Sequence, residues 1–171
     1  MSDWRWRPML MADTIKVCAI GDEVHAAYPE SDEVFLERWQ LWPRGCHVLE
    51  STVGIIGYCV SHPWRRRHPP ELNVPLGALP ESPETYYVHD VALLPAARGL
   101  GAGAALTAKL ETHARALGLT EMALIAVYDA QHYWARHDFR PVLDDPALTA
   151  KTASYSTGAT YMERRLEPLL G

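Results

Sequence analysis

No stretch of the sequence reaches the roughly 18 consecutive apolar residues that a membrane-spanning helix needs. The polar start, Met1-Ser2-Asp3-Trp4-Arg5-Trp6-Arg7, lacks the apolar core of a secretory leader. Together these predict a cytoplasmic chain with no membrane partner. A basic excess is also missing: the formal net charge is -5, which argues against a broad nucleic-acid surface. The three cysteines, Cys18, Cys46 and Cys59, form no CxxC pair. Reduced, buried thiols are therefore expected, not a disulfide framework or a zinc site. The histidines include no HExxH pair, and His132 and His137 do not share a helical face. No metal site is expected. There is no internal repeat and no low-complexity tract.

What is present suits one folded domain over residues 1–171, because 48% of the chain is hydrophobic. Trp4 to Met9 reads as an entry strand, and Ala12 to His25 as a loose helix with Asp13 as its N-cap. A second helix follows Ser31 and stops before Pro43. Cys46 to Glu50 and Val53 to Val60 form a hairpin about Ser51-Thr52. His62 to Pro83 is proline-rich and reads as one long loop, a place for a substrate-facing flap. Tyr86 to Leu94 is a strand, Gly103 to Leu117 a helix capped by Gly118, and Met122 to Tyr128 a central strand. Asp129 starts a short helix through Arg136, and strands follow at Phe139 to Leu143 and Ala159 to Leu166.

The most informative segment is Arg98-Gly99-Leu100-Gly101-Ala102-Gly103. Glycines at alternate positions let a backbone approach a ligand closely. A turn that opens a helix offers unpaired N–H groups and a helix dipole to an anion, so a pyrophosphate is the natural ligand, with Arg98 as a nearby cation. A P-loop is excluded because Ala104-Ala105 stands where Lys and Ser or Thr are required. Gly99, Gly101 and Ala104, with Glu121 beyond, formally match a dinucleotide fingerprint. That reading fails on context: Pro95 to Arg98 separates strand from glycine, and too few strands follow. A flexible turn without a ligand is the plain alternative.

Val91-Ala92-Leu93-Leu94-Pro95-Ala96-Ala97-Arg98-Gly99-Leu100-Gly101-Ala102-Gly103 resembles the acetyl-CoA signature of the GCN5-related N-acetyltransferases, R/Q-x-x-G-x-G/A after a strand. Ala130 to Phe139 is similar to the family's second motif, A-x-x-F-Y-x-x-x-G-F. The likeness is specific over about Thr85 to Val142. It implies an α/β fold: a mixed, mostly antiparallel central sheet flanked by helices, with parallel strands splayed at the acetyl-CoA site. It further implies that pantetheine pairs with the main chain of Val91, Ala92 and Leu93, and that pyrophosphate rests on Arg98 and on the amides from Gly99, Leu100 and Gly101 through Ala102, Gly103 and Ala104. Asp129, just before the second motif, and Tyr133 and Trp134 within it complete the cofactor set. The acceptor amine attacks acetyl-CoA directly, and no metal is needed.

The attacking amine must be neutral, which calls for a proton acceptor. His89 occupies the position of a proton-relaying histidine in the family's arylalkylamine enzymes, and a histidine is the side-chain type whose ordinary pKa suits that role. A histidine hydrogen-bonded inside the sheet is the alternative. Alternation puts Tyr87, His89, Val91 and Leu93 on one face and Val88, Asp90 and Ala92 on the other, and Asp90 reads as structural, a partner of a neighbouring loop. The family's thiolate-protonating tyrosine aligns with Trp134, whose indole is no acid. Either another donor serves (Tyr133, one place earlier and the candidate acid, Tyr128 or water), or the thiolate leaves unaided; packing is the competing and favoured role of Tyr133. Asp138 replaces the family glycine.

Aromatic residues Tyr28, Phe35, Trp39, Trp42 and Trp64, with Tyr86 or Tyr87, are candidates for an acceptor pocket, Phe35 and Trp39 reading rather as core. Arg65-Arg66-Arg67 reads as a solvated loop, or as a site for an acidic substrate or the 3'-phosphate of CoA. The expected acceptor is a small-molecule amine, with a protein or peptide amine second. A catalytically silent acyl-CoA-binding domain is the rival from another class. Homodimers are common in the family, and no feature of this sequence argues for one.

Overall fold

The computed structural model of the chain describes residues 3–156 and 158–170. Met1 and Ser2 of the polar start, Thr157 and Gly171 lie outside them. Strands β1 (Trp4–Pro8), β2 (Cys46–Ser51), β3 (Gly54–Trp64), β4 (Thr85–Leu93), β5 (Glu121–Ala126), β6 (Arg140–Pro141) and β7 (Thr160–Arg165) form a sheet in the order β1-β2-β3-β4-β5-β7-β6. The helices are α1 (Thr14–Val24), α2 (Asp32–Leu41), α3 (Ala102–Ala116), α4 (Gln131–Ala135) and α5 (Pro146–Tyr155). The sheet is mostly antiparallel. Its parallel pair sets Tyr86, Tyr87 and Val88 of β4 against Met122, Ala123 and Leu124 of β5. No helix among the described residues is long and apolar enough to cross a membrane.

The chain gathers into two compact units. The first comprises Met1–His62, Pro70–Ala78 and His89–Leu110. One of its cores puts Val17, Cys18 and Ile20 of α1 and Phe35 of α2 against Val48, Tyr58, Val60 and Ala92. A second cluster joins Leu49, Ile56, Ala97 and Ala102, with Trp4, Trp6 and Leu93 packed on it. The switch between clusters has a physical cause. Leu49 pairs with Gly57, but Glu50 pairs with Ile55, so Ile56 is an extra residue in β3. Such a bulge reverses which face a side chain takes, leaving Ile55 with the first cluster and Ile56 with the second.

A larger irregularity lies in β4. Leu94 N–H donates to Ile56 O, and Glu84 N–H donates to Trp64 O. Eight steps along β3 therefore match ten along β4, and His89 and Asp90, neighbours in β4, both reach the stretch from His25 to Glu30. This corrects the two-face assignment of the strand made from simple alternation.

The second unit comprises Pro63–Pro69, Leu79–Val88 and Glu111–Gly171. Antiparallel β5 and β7 run in register from Glu121↔Arg165 to Ala126↔Thr160. Helix α5 was absent from the sequence-based expectation, although its signals are present. Asp145 caps it by accepting Leu148 N–H at 3.0 Å, and Pro146 opens its first turn. Asp13 holds the N-cap position of α1 as expected, but its side chain makes no capping bond there; its carboxylate accepts Leu10 N–H at 2.8 Å and pairs with Arg7 at 2.7 Å. One further expectation is corrected. Asp129 does not cap α4, since Ala130 holds the N-cap position. All three cysteines are free and buried, and burial lifts the thiols of Cys18 and Cys46 to about 12.

Gly57 tests the close approach of β3 and β4. A Cβ there would lie 2.8 Å from Ala92 O and 2.8 Å from Leu93 Cδ2, and a backbone oxygen cannot step aside. Gly57→Ala should cost about 1–3 kcal/mol in urea unfolding; an unchanged midpoint would contradict this packing.

Candidate active site

The glycine turn follows β4 directly. A 3-10 turn at Pro95–Ala97 delivers Arg98, and α3 starts at Ala102. Gly99 and Gly101 adopt φ of +74° and +75°, the left-handed region that suits glycine. Both are exposed, and a Cβ on either would meet no atom within 4 Å. The turn is fixed from behind: Trp6 Nε1 donates to Ala102 O at 2.8 Å, and Ala97 and Ala102 are buried. The first α3 amides have no partner inside the helix, so the turn presents N–H groups and a positive dipole end on its open side, with Arg98 exposed beside it.

Two residues before Val91, the bulged part of β4 carries two carboxylate–imidazole contacts. His89 Nε2–H donates to Glu30 Oε1 at 2.8 Å, both side chains almost fully buried. Asp90 is held on both oxygens. Tyr58 O–H donates to Oδ2 at 2.5 Å, and His25 Nε2 lies 2.9 Å from Oδ1 and 3.2 Å from Val91 O. Both of those neighbours are acceptors, so Nε2 of His25 carries the hydrogen. Asp90 thus serves a strand tyrosine and a helix-terminal histidine, and not the neighbouring loop expected from the sequence.

The charges follow this geometry. Burial disfavours the Glu30 carboxylate, but the His89 contact, Asn73 N–H and the charge of Arg38 outweigh it and hold its pKa below the ordinary range. Burial also disfavours the His25 cation, but the hydrogen bond and charge of Asp90 raise its pKa. Tyr58 is driven well above its ordinary value by burial and by Asp90. A small cavity, with room for about one water molecule, lies among Gly21, Asp22, His25, Tyr28, Glu30, Phe35, Tyr58 and Asp90. His25 and Asp90 line it; His89 does not.

The proline-rich segment is tied down. Within Pro70–Ala78, Asn73 N–H donates to Glu30 Oε2, and Leu76 and Gly77 N–H donate to Glu37. Asn73 Oδ1 accepts Ser31 N–H at 2.7 Å, and buried Arg38 donates to Val74 O. Among the acceptor-pocket candidates in this unit, Tyr28 lines the cavity. Phe35 is core, and Trp39 donates to Met9 O.

The second motif lies in the other unit. Trp134 is buried with its ring edge-on to Phe139 at 5.4 Å. Tyr133 is half-buried, edge-on to Trp134 and His137 at 5.0 Å, with the Arg136 guanidinium over its ring. Asp129 is exposed on the turn before α4. Asp138, in the place of the family glycine, takes φ of +65°, a conformation Asp tolerates better than most residues. Trp64, Tyr86 and Tyr87 are buried, Trp64 donating to His68 O. Of the arginine run only Arg65 is exposed as a solvated loop requires; Arg66 pairs with Glu121 and Arg67 with Glu163, each at 2.9 Å. Glu30, His25 and Tyr58 were missed as site residues; nothing in their local sequence distinguishes them from helix ends or strand core.

Residues 4–139 match the sequence model of the acetyltransferase (GNAT) family. No curated protein matches by sequence. Among solved structures, Ard1 from Thermoplasma volcanium superposes with a TM-score of 0.71 at 14% identity, over 98% of this chain and 100% of that one. The GphF GNAT-like decarboxylase in complex with isobutyryl-CoA gives 0.74 at 16%, over 95% and 100%. The NatC complex bound to Gag peptide and CoA gives 0.68 at 15%, over 97% and 100%.

Glu30 predicts an acid dependence of stability. A carboxyl with a depressed folded pKa contributes stability that is complete above its ordinary value of 4.5 and is lost as pH falls through the folded value. Glu30→Gln should therefore flatten the loss of stability below about pH 4.5, read as unfolding midpoint against pH. An acid slope equal to the parent's would show that the Glu30–His89 contact contributes nothing.

Proposed function

The chain belongs to the acetyltransferase (GNAT) family, and from that premise we propose that it is an acetyl-CoA-dependent N-acetyltransferase acting on a primary amine of a small molecule. The observation that carries this is the open left-handed glycine turn at the start of α3, directly beyond β4. Its amides, with Arg98, receive the pyrophosphate, and the main chain of Val91, Ala92 and Leu93 receives pantetheine. CoA in the NatC complex and isobutyryl-CoA in the GNAT-like decarboxylase support a CoA thioester as the ligand class.

The reaction joins an ammonium and acetyl-CoA to give an amide, CoA thiol and one released proton. The ammonium must first lose a proton, and the neutral nitrogen then attacks the thioester carbonyl. On collapse the carbon–sulfur bond breaks and sulfur leaves as thiolate, a tolerable leaving group because thiols have a pKa near 8.5. Its own proton demand is met from the nitrogen as the amide forms. The Gag peptide on the NatC complex keeps a peptide acceptor as the second choice.

One observation favours a different reading, a silent acyl-CoA-binding domain: Trp134 stands where the family carries an acidic tyrosine, and it is buried against Phe139. Steady release of CoA thiol with any amine discriminates the two.

Calorimetric titration with acetyl-CoA, with NADH as comparator, should show binding of the first alone. In Gly101→Val the side chain would fill the open approach and strain φ of +75°, so affinity should fall about tenfold or more. Equal affinity in the variant would remove the turn from the cofactor site.

A further inference from the structure

The sheet of the second unit ends on strands of unequal length. β7 pairs with β5 from Thr160 to Arg165, but β6 covers only Met162 and Glu163. The ladder fixes which main-chain groups are left over. Leu166 N–H donates to Thr120 O on the β5 side, while Val142 N–H donates to Tyr161 O on the β6 side. These groups alternate between the two sides of an antiparallel strand, so Arg165, like Tyr161 and Glu163, turns its N–H and C=O outward. In the β6 register Asp138 would face Arg165. Its φ of +65° and its N–H bond to Ala135 O hold it instead in the turn after α4. Among the described residues nothing pairs with the Arg165 main chain, and continued alternation gives Glu167 the outer side as well.

The space beside this edge is open. A groove of about 720 Å³ is lined from both faces of the sheet, by Arg67 and Glu163 on one and by Glu111 and Arg164 on the other. At about 3.3 Å per residue, 4.8 Å between strands and 10 Å of depth, it has room for roughly four extended residues. Its inner charges are already matched, Arg67 with Glu163 and Arg164 with Glu111. Arg165 and Glu167 also line it, both exposed and in no ion pair among the described residues.

We propose that a second copy of the chain pairs here, β7 antiparallel to β7, with a twofold axis at Leu166. Charge selects this register. Only outward-facing residues form the bonded pairs, and a register that sets arginine on arginine or glutamate on glutamate is repulsive. With the axis at Leu166, Arg165 faces the partner's Glu167, and Glu167 faces the partner's Arg165. The two contacts are equivalent, as an isologous interface requires, and each pair exchanges both its N–H···O bonds. Exposed leucines point to the same edge. Leu143, Leu169 and Leu170 are 80%, 76% and 101% exposed, the most exposed large apolar side chains of this unit among the described residues. Leu143 lines the groove, and beyond Glu167 the antiparallel register runs each chain's Leu169 and Leu170 towards β6 of the other copy. Apolar surface gathered in this way marks an interface.

The contact is short, so the dimer is a weak one. Sedimentation velocity over about 1–500 μM, a range suited to a small interface, should show a reversible monomer–dimer equilibrium. Glu167→Arg sets arginine against arginine, and Arg165→Glu sets glutamate against glutamate; each should weaken association about tenfold or more. Mixed in equal amounts, the two variants regain both opposite-charge contacts and should associate like the parent. Arg165→Glu also places a carboxylate beside Glu121. Should its unfolding midpoint show that it does not fold, Glu167→Arg mixed with Arg165→Gln should still associate more tightly than Glu167→Arg alone. A parent that stays monomeric, single variants that associate as the parent does, or a mixture no tighter than its components overturns the proposal. So does association that strengthens when these charges are lost, since they would then be guards of the edge.

Discussion

A regular strand sends successive side chains to opposite faces, and a regular β4 would give the segment between α1 and α2 either His89 or Asp90. β4 carries two more residues than the stretch of β3 it pairs with, and both side chains reach the same short stretch, His25 to Glu30. The crossed pairs that result are the fastening on which the rest of the site depends. Each buries a carboxylate, which costs several kcal/mol of desolvation unless its lone pairs are filled. Here they are filled: Glu30 by His89 and Asn73, Asp90 by Tyr58 and His25. Such pairs contribute position more than stability. They set the end of α1, the start of α2 and the Pro70–Ala78 segment against one strand.

That logic explains why the glycine turn was legible in the sequence and the pairs were not. A turn is a local object. Gly99 and Gly101 need left-handed backbone wherever the rest of the chain lies, and the helix behind them is announced by Leu106, Leu110, Ala114 and Leu117 at helical spacing, the first three buried and Leu117 exposed just past the helix end. A pair such as Glu30–His89 joins residues 59 positions apart. Nothing in the Pro29-Glu30-Ser31 sequence distinguishes a buried carboxylate from a solvated one. Even with the strand assigned correctly, the partner depended on the bulge, and a bulge leaves no reliable mark on apolar periodicity.

The errors have the same origin. Arg65-Arg66-Arg67 reads as a solvated run because charge is expected at the surface. In the fold, Glu121 and Glu163 are neighbours on paired strands, and burial together with the charge of Glu163 raises the pKa of Glu121. Two close carboxylates need cations, and Arg66 and Arg67 supply them. The run answers an internal acidic demand that becomes visible only once β5 and β7 are placed in register. Asp13 is a similar case: its side chain is spent on Arg7 and Leu10, so the local cap signal lost to a longer-range contact.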